Sequence, residues 1–271
     1  MNNPSLDRDA LAARARTIRE HIVALCISPE GGHLGGALSL ADILTVLYFS
    51  VLRVDPNDPA HPDRDIFILS KGHGVLALYA TLAERGFFPV DELATFGQPG
   101  SRLMAHPVRA VPGIEMPTGS LGHGLSLALG FALASRDRDE ARRRRVFCVL
   151  GDGELQEGSV WEAAMAAPSL RLDNLVAIVD RNGLQITGPT EQTVRLEPLV
   201  ERWRSFGWMV HDVDGHDIDR LKDVLSSSQP PNTPGTPTVL VAKTVKGKGI
   251  AAVEGTLKSH FARLRKRVPV Q

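Results

Sequence analysis

Gly151-Asp152-Gly153-Glu154, then Leu175-Val176-Ala177-Ile178-Val179-Asp180 running into Arg181-Asn182-Gly183-Leu184, is the stretch that decides the fold. Arg145–Leu150 reads as a strand feeding the first part, and Leu175–Asp180 as a second strand feeding the last. Between them, Glu157–Ala167 is Ala-rich, with Trp161 and Met165 at helical spacing. Parallel strands joined through a helix share a sheet, with right-handed connections. Ligands of open parallel sheets bind beyond the carboxyl ends of the strands. Asp152 and Asn182 are therefore expected to meet there. One carboxylate and one amide oxygen suit a hard cation such as Mg2+, which keeps water and borrows phosphate oxygens. The prediction is a metal-bridged diphosphate. Gly-Asp-Gly by itself also fits an ordinary turn at a strand end.

The chain has 271 residues, 43% of them hydrophobic, enough to bury a substantial core as one large domain or two small ones. Lys plus Arg equals Asp plus Glu at 31 each, so charge gives no general argument for nucleic acid or an anionic membrane. Arg142–Arg145 is a local basic run before a strand and reads as a solvated loop. The tail, with Lys258, Arg263, Arg265, Lys266 and Arg267, reads as exposed and partner-facing. Cys26 and Cys148 sit in apolar segments and are expected to be buried free thiols in a reducing compartment. Met1–Ala13 is polar and charged, unlike a signal peptide. No apolar run approaches the roughly 18–20 residues of a membrane span. A cytoplasmic protein is expected.

Leu11, Ala15, Ile18, Ile22 and Leu25 repeat every three or four residues and predict an amphipathic helix. Ser39-Leu40-Ala41-Asp42 has the form of a capping box, opening a helix through about Val51. Gly74–Arg85 is helical and stops at Gly86, a left-handed cap. Leu121–Ala134 is helical and apolar on most faces, hence predicted buried. Strands are expected at Asp65–Leu69, Val146–Leu150, Leu175–Asp180, Trp208–Val213 and Thr238–Ala242, with helices near Glu197–Phe206 and Ile218–Ser227. This alternation predicts an α/β fold, a parallel sheet with helices on both faces. Gln229–Pro237 reads as a Pro-rich loop within one domain, 1–271.

Several histidines stand in Gly-rich turns: Gly31-Gly32-His33-Leu34-Gly35-Gly36, Ser70-Lys71-Gly72-His73-Gly74 and Leu121-Gly122-His123-Gly124. His106 precedes Pro107, and His260 lies near the C-terminus. Glycine lets backbone approach a ligand closely. On spacing alone, His33 and His73 stay open between functional and structural roles. Gly119–Gly124 opens a helix, where backbone N–H groups favour phosphate. A tight turn with close helix packing fits it equally. Lys246-Gly247-Lys248-Gly249 lacks the spacing of a P-loop, and Lys243, Lys246 and Lys248 read as solvated.

Together these runs resemble the N-terminal, diphosphate-binding part of transketolases, enzymes dependent on thiamine diphosphate (ThDP). The matching stretches are Gly32–Gly36 through Leu40–Leu44, Ser70–Gly74, Thr118–Gly122, Gly151–Gly158 and Lys243–Gly247, in family order and across nearly the whole chain. The resemblance implies the thiamine-diphosphate-binding fold and roles position by position. Asp152, Asn182 and the Leu184 carbonyl match Mg2+ ligands. Gly119, Ser120, Leu121, Gly151, Gly153 and Glu154, with His73, match positions around the cofactor. His33, His73, His106 and His260 match the histidines that face the reactive carbon and substrate hydroxyls. Glu157 matches a carboxylate at a subunit interface. His123 stands where many family members have Gln, and its role is open.

Full-length transketolases carry two further domains after this point, which supply the carboxylate at the cofactor's pyrimidine ring. The resemblance therefore implies the first subunit of a split transketolase. Its partner would be a C-terminal, pyrimidine-binding subunit, in a heterotetramer acting on sugars or sugar phosphates, with no nucleic acid and no membrane. Two other readings compete: a subunit of a 2-oxo-acid decarboxylating ThDP enzyme, and a non-catalytic diphosphate-binding assembly subunit.

Overall fold

The computed structural model describes residues 6–28, 30–136, 139, 142–227 and 234–271. Its central sheet contains β1 (Ile66–Leu69), β2 (Val146–Gly151), β3 (Leu175–Arg181), β6 (Met209–Asp214) and β7 (Thr238–Lys243). All are parallel, in the order β1-β2-β3-β7-β6. A two-stranded hairpin, β4 (Leu184–Gln185) with β5 (Gly188–Pro189), follows β3. The first three strands run Val/Ile/Leu-rich and are buried on both faces, as a covered parallel sheet requires.

Alternate strand residues enter two separate cores. Phe67, Leu69, Phe147, Val149, Val176 and Ile178 join the core under α1 (Arg8–Leu25), α2 (Leu34–Leu38), α3 (Ala41–Val46), α4 (Val75–Arg85) and α9 (Ile218–Ser227). Ile66, Ile68, Val146, Cys148, Ala177 and Val179 join the core under α5 (Gly124–Ala134), α6 (Gly158–Ser169) and α8 (Leu199–Ser205). Helices thus cover both faces, as the alternation predicts. A short α7 (Thr190–Thr193) follows the hairpin. The α1 stripe is buried as expected, and Asp7 caps its N-terminus by accepting from the Ala10 amide at 2.9 Å. Gly86 takes the left-handed cap at φ 94°. Both cysteines are buried free thiols. Among the described residues, no helix is long and apolar enough to cross a membrane.

Four expectations are corrected. Arg142–Arg145 is not a solvated run: only Arg142 is exposed, while Arg143 pairs with Asp173 and Arg145, 5% exposed, is drawn in by the buried Asp65 carboxylate. The Ser39–Asp42 capping box does not form: α3 starts without a side-chain cap. Ser39 Oγ instead donates to Asp180 Oδ2 at 2.7 Å, because the end of β3 offers it a buried carboxylate. The helix does reach Val51, through a wider π turn at Leu47–Val51. The α5 helix is not buried on most faces. Leu125, Ala128 and Ala132 pack inward, while Ser126, Gly130 and Leu133 are exposed, because the sheet and α6 cover only one side. Lys246 is not solvated but 3% exposed, its amine drawn in by a carbonyl acceptor. The predicted loop 229–237 lies outside the described residues up to 233.

Candidate active site

The carboxyl ends of β1, β2, β3 and β7 release Ser70–His73, Asp152, Asn182 and Thr244–Lys246 along one edge of the sheet. Asp152 is 2% exposed. Its Oδ1 accepts from the Gly153 amide at 2.8 Å, and its Oδ2 from the Gly183 amide at 2.5 Å and from Arg181 Nη1 at 3.2 Å. Burial, then the nearby Asp180, push its pKa up, and those donors oppose the rise. Asn182 Oδ1 accepts from the Leu184 amide at 3.1 Å. The Leu184 carbonyl accepts from Lys246 Nζ at 3.0 Å. Burial and the neighbouring Lys71 lower Lys246 to about 8. The predicted trio of Asp152, Asn182 and the Leu184 carbonyl is thus carried by β2 and by the turn out of β3.

Glu154 acts between loops. Its Oε1 accepts from the Gly122 amide at 2.9 Å and from Ser70 Oγ, and its Oε2 from the Gly151 amide at 2.9 Å. One buried carboxylate therefore joins the turns after β1 and β2 to the start of α5. Gly119, Ser120 and Leu121 lie on that last loop, with Ser120 exposed. Glycine is required where loops meet. A Cβ on Gly72 would lie 2.7 Å from the Thr118 carbonyl carbon and 2.8 Å from the Gly119 nitrogen.

The four sequence-predicted histidines converge. The His33 ring centroid lies 5.3 Å from His73, 6.4 Å from His106 and 5.4 Å from His260. His73 and His260 stack at 5.9 Å. Burial, helped by Lys71, depresses His73 to about 2. Burial and Lys246 depress His260 to about 4. His33 is lowered too, by burial and then by His106. These three rings are therefore held neutral, each with one ring nitrogen able to accept a hydrogen bond. Beside them opens a cavity of about 660 Å³, lined by Glu30, Gly32, His33, His73, Gln98, Ser101, Met104 and Phe261. Phe261 reaches it on the C-terminal strap, which also sets His260 beside His33 and pairs Ala262 with Gly32. Leu264, Val268 and Val270 of the strap pack on the core while its Arg and Lys side chains point outward.

Glu157 caps α6 without a side-chain bond and is exposed, and His123 is exposed at the head of α5. Sequence reasoning missed Lys71, Asp180, Arg181, His216 and Phe261. Asp180 closes β3 in the sequence pattern, and its partner Lys71 closes the turn after β1. Nothing in the sequence pairs two residues so far apart.

The thiamine diphosphate binding domain of transketolase matches residues 11–268 of this chain. The chain belongs to the transketolase family. An apulose-4-phosphate transketolase subunit from Actinobacillus succinogenes is 46% identical over 262 residues, spanning 96% of this chain and 93% of that protein. The 6-deoxy-6-sulfo-D-fructose transketolase subunit SqwG of a Clostridium species is 45% identical, over 86% of this chain and 84% of its own length. Human transketolase is 38% identical over 97% of this chain, which spans 41% of the human protein. Among solved structures, Campylobacter jejuni transketolase superposes with TM-score 0.84 at 31% identity, over 95% of this chain and 41% of that one. Within the family, then, this chain has the extent of the subunits rather than of the full-length enzymes.

Proposed function

We propose that this chain is the diphosphate-binding subunit of a two-chain transketolase. The enzyme would move a two-carbon ketol unit from a ketose, free or phosphorylated, to an aldose. It would use ThDP and Mg2+ and assemble as two copies of this chain with two of a pyrimidine-binding partner. The observation that carries the reading is the convergence of four histidines, of which His33 and His73 line a cavity, at the edge of the sheet that bears Asp152 and Asn182.

The donor set fits the metal. Asp152, Asn182 and the Leu184 carbonyl offer only oxygens and one formal charge, leaving room for diphosphate oxygens. Two of these oxygens already hold cationic groups, Arg181 on Asp152 and Lys246 on Leu184. Asp152, Asn182 and Leu184 would hold Mg2+, while Gly119, Ser120, Leu121, Gly151 and Gly153 would line the diphosphate. Bound ThDP supplies the carbon nucleophile and electron sink for carbon–carbon cleavage. This chain's histidines would orient the substrate hydroxyls and pass their protons. His73 and His260, whose pKa values are held far below operating pH, would accept hydrogen bonds from those hydroxyls, which leaves the base role to His33 and His106. Glu157, exposed and unbonded at its own helix start, would face the partner subunit.

Co-expression with a C-terminal transketolase subunit, followed by size-exclusion chromatography and a ketol-transfer assay, tests the proposal. Activity is expected only from the two-chain complex. An assembled, cofactor-loaded complex without ketol transfer overturns it, as does full transfer by the isolated chain.

A further inference from the structure

We infer that His216 is the positioning residue that holds Lys246 against the Leu184 carbonyl. His216 sits on the turn after β6. Its Nδ1 lies 2.7 Å from Asp42 Oδ2, and its Nε2 accepts from the Val245 backbone amide at 2.9 Å. A backbone amide can only donate, so Nε2 carries the lone pair and the proton sits on Nδ1, facing Asp42. The tautomer is therefore fixed. Asp42 is itself fixed by Arg19 from α1. The side chains of Arg19, Asp42 and His216 are 8%, 7% and 13% exposed. A buried hydrogen-bonded line thus runs from α1 through α3 and the turn after β6. It ends on the residue immediately before Lys246.

Lys246 needs such a hold. Its ammonium is buried beside a second ammonium, Lys71, an arrangement that burial and like charge both oppose. The carboxylates facing it are Asp180 and Asp152. Asp180 is already bonded to Lys71, Ser39 and Thr244, and Asp152 to Arg181. What keeps the lysine in place is therefore the anchoring of the residues on either side. Thr244 bonds Asp180, Val245 bonds His216, and the Gly247 amide donates to the Gly35 carbonyl at 3.0 Å. Removing the imidazole leaves the half-buried Val245 N–H without its acceptor, and an unpaired donor draws the segment toward water. Lys246 would follow it.

The inference rests on the proposed function only for what the ammonium would face, the cofactor's diphosphate. Competitive acetylation of the full chain with acetic anhydride, read by peptide mass spectrometry, needs neither cofactor nor partner. In His216→Ala, Lys246 labelling should rise about tenfold, the scale of one lost hydrogen bond, while Lys71 labelling stays at the wild-type rate. His216→Asn reaches Asp42 but not Val245, so it should free Lys246 equally. His216→Gln places an oxygen acceptor near the Nε2 position and should restore protection. In the two-chain enzyme, His216→Asn should raise the KM for ThDP more than it lowers kcat. Should the alanine variant fail to fold, the Asn and Gln pair decides. Unchanged Lys246 labelling in folded His216→Asn overturns the inference. So does a parallel rise at Lys71, or a Gln variant no better protected than Asn.

Discussion

Lys71 and Asp180 form an ion pair whose side chains are 2% and 0% exposed, between the turn after β1 and the end of β3. The pair is the electrostatic hub of the site. Lys71 also donates to the Gly36 carbonyl at 3.0 Å, and its charge helps depress both His73 and Lys246. Asp180 gathers Ser39, Thr244 and Lys71, so one carboxylate ties three loops to the sheet. Despite full burial, its pKa is held down by Lys71 and the bonded hydroxyls.

Asp180→Asn leaves a buried ammonium without its counter-charge. Breaking a buried pair in this way costs about 3–5 kcal/mol. The exposed Arg204–Glu201 pair is the control: Glu201→Gln should cost under about 1 kcal/mol. Urea unfolding of the isolated chain measures both. A loss in Asp180→Asn no larger than in the control would show that the pair does not hold the loops.

The histidines make stability depend on pH in a definite direction. His73 and His260 are depressed from 6.5 to about 2 and about 4. As pH falls through 6.5 the unfolded chain takes up protons and the native chain does not. Stability is therefore full above 6.5 and declines as pH drops toward the folded values, with a window for His260 that closes near 4. The difference in unfolding free energy between wild type and His73→Asn should shift against the wild type across that window. A difference independent of pH between 6.5 and 4 would rule out the depressed value.

Much of this was legible in the chain. The strands predicted at 65–69, 146–150, 175–180, 208–213 and 238–242 all form, each within one residue of its expected ends, because short apolar runs bounded by turn residues fit a doubly covered parallel sheet. The clustering of His33, His73, His106 and His260 followed from a family resemblance, not from spacing. What stayed hidden was decided by tertiary partners. Ser39 looks like a cap until Asp180 arrives beside it. Lys246 looks solvated until the Leu184 carbonyl takes its amine. The apolar face of α5 says that it seeks cover, but its sequence does not say that this chain covers only one side.

Asp152→Ala removes the charged oxygen of the proposed cation site, together with the acceptor for the Gly153 and Gly183 amides. Hydrogen bonds to charged groups contribute about 1.5–3 kcal/mol. Affinity for ThDP with Mg2+ should fall at least about tenfold in the two-chain enzyme. Calorimetry showing wild-type affinity would remove Asp152 from the cation site.

His33→Ala, His73→Ala and His106→Ala should act on turnover rather than on cofactor affinity. Positioned acid–base groups contribute about 10²–10⁴-fold in rate. Steady-state assays with a ketose donor and saturating ThDP separate the two effects. Wild-type turnover in all three variants would make the cluster structural.

Gly72 and Gly130 test the site's scaffold from opposite sides. A methyl group on Gly72 would meet main-chain atoms of Thr118 and Gly119, which cannot swing aside as a side chain can. The turn carrying Lys71 and His73 would have to part from the Gly119–Gly124 loop. Overpacking of this kind costs about 1–3 kcal/mol, and turnover should fall with stability because His73 moves with the turn. Gly130 lies inside α5, exposed, with open space where a Cβ would go. There Gly130→Ala removes backbone entropy from the unfolded chain and should stabilise the isolated subunit by about 0.5–1 kcal/mol. Thermal unfolding of the two variants should therefore shift in opposite directions. If Gly72→Ala matched the wild type in both stability and turnover, the tight seam between the two loops would not be what holds His73 in place.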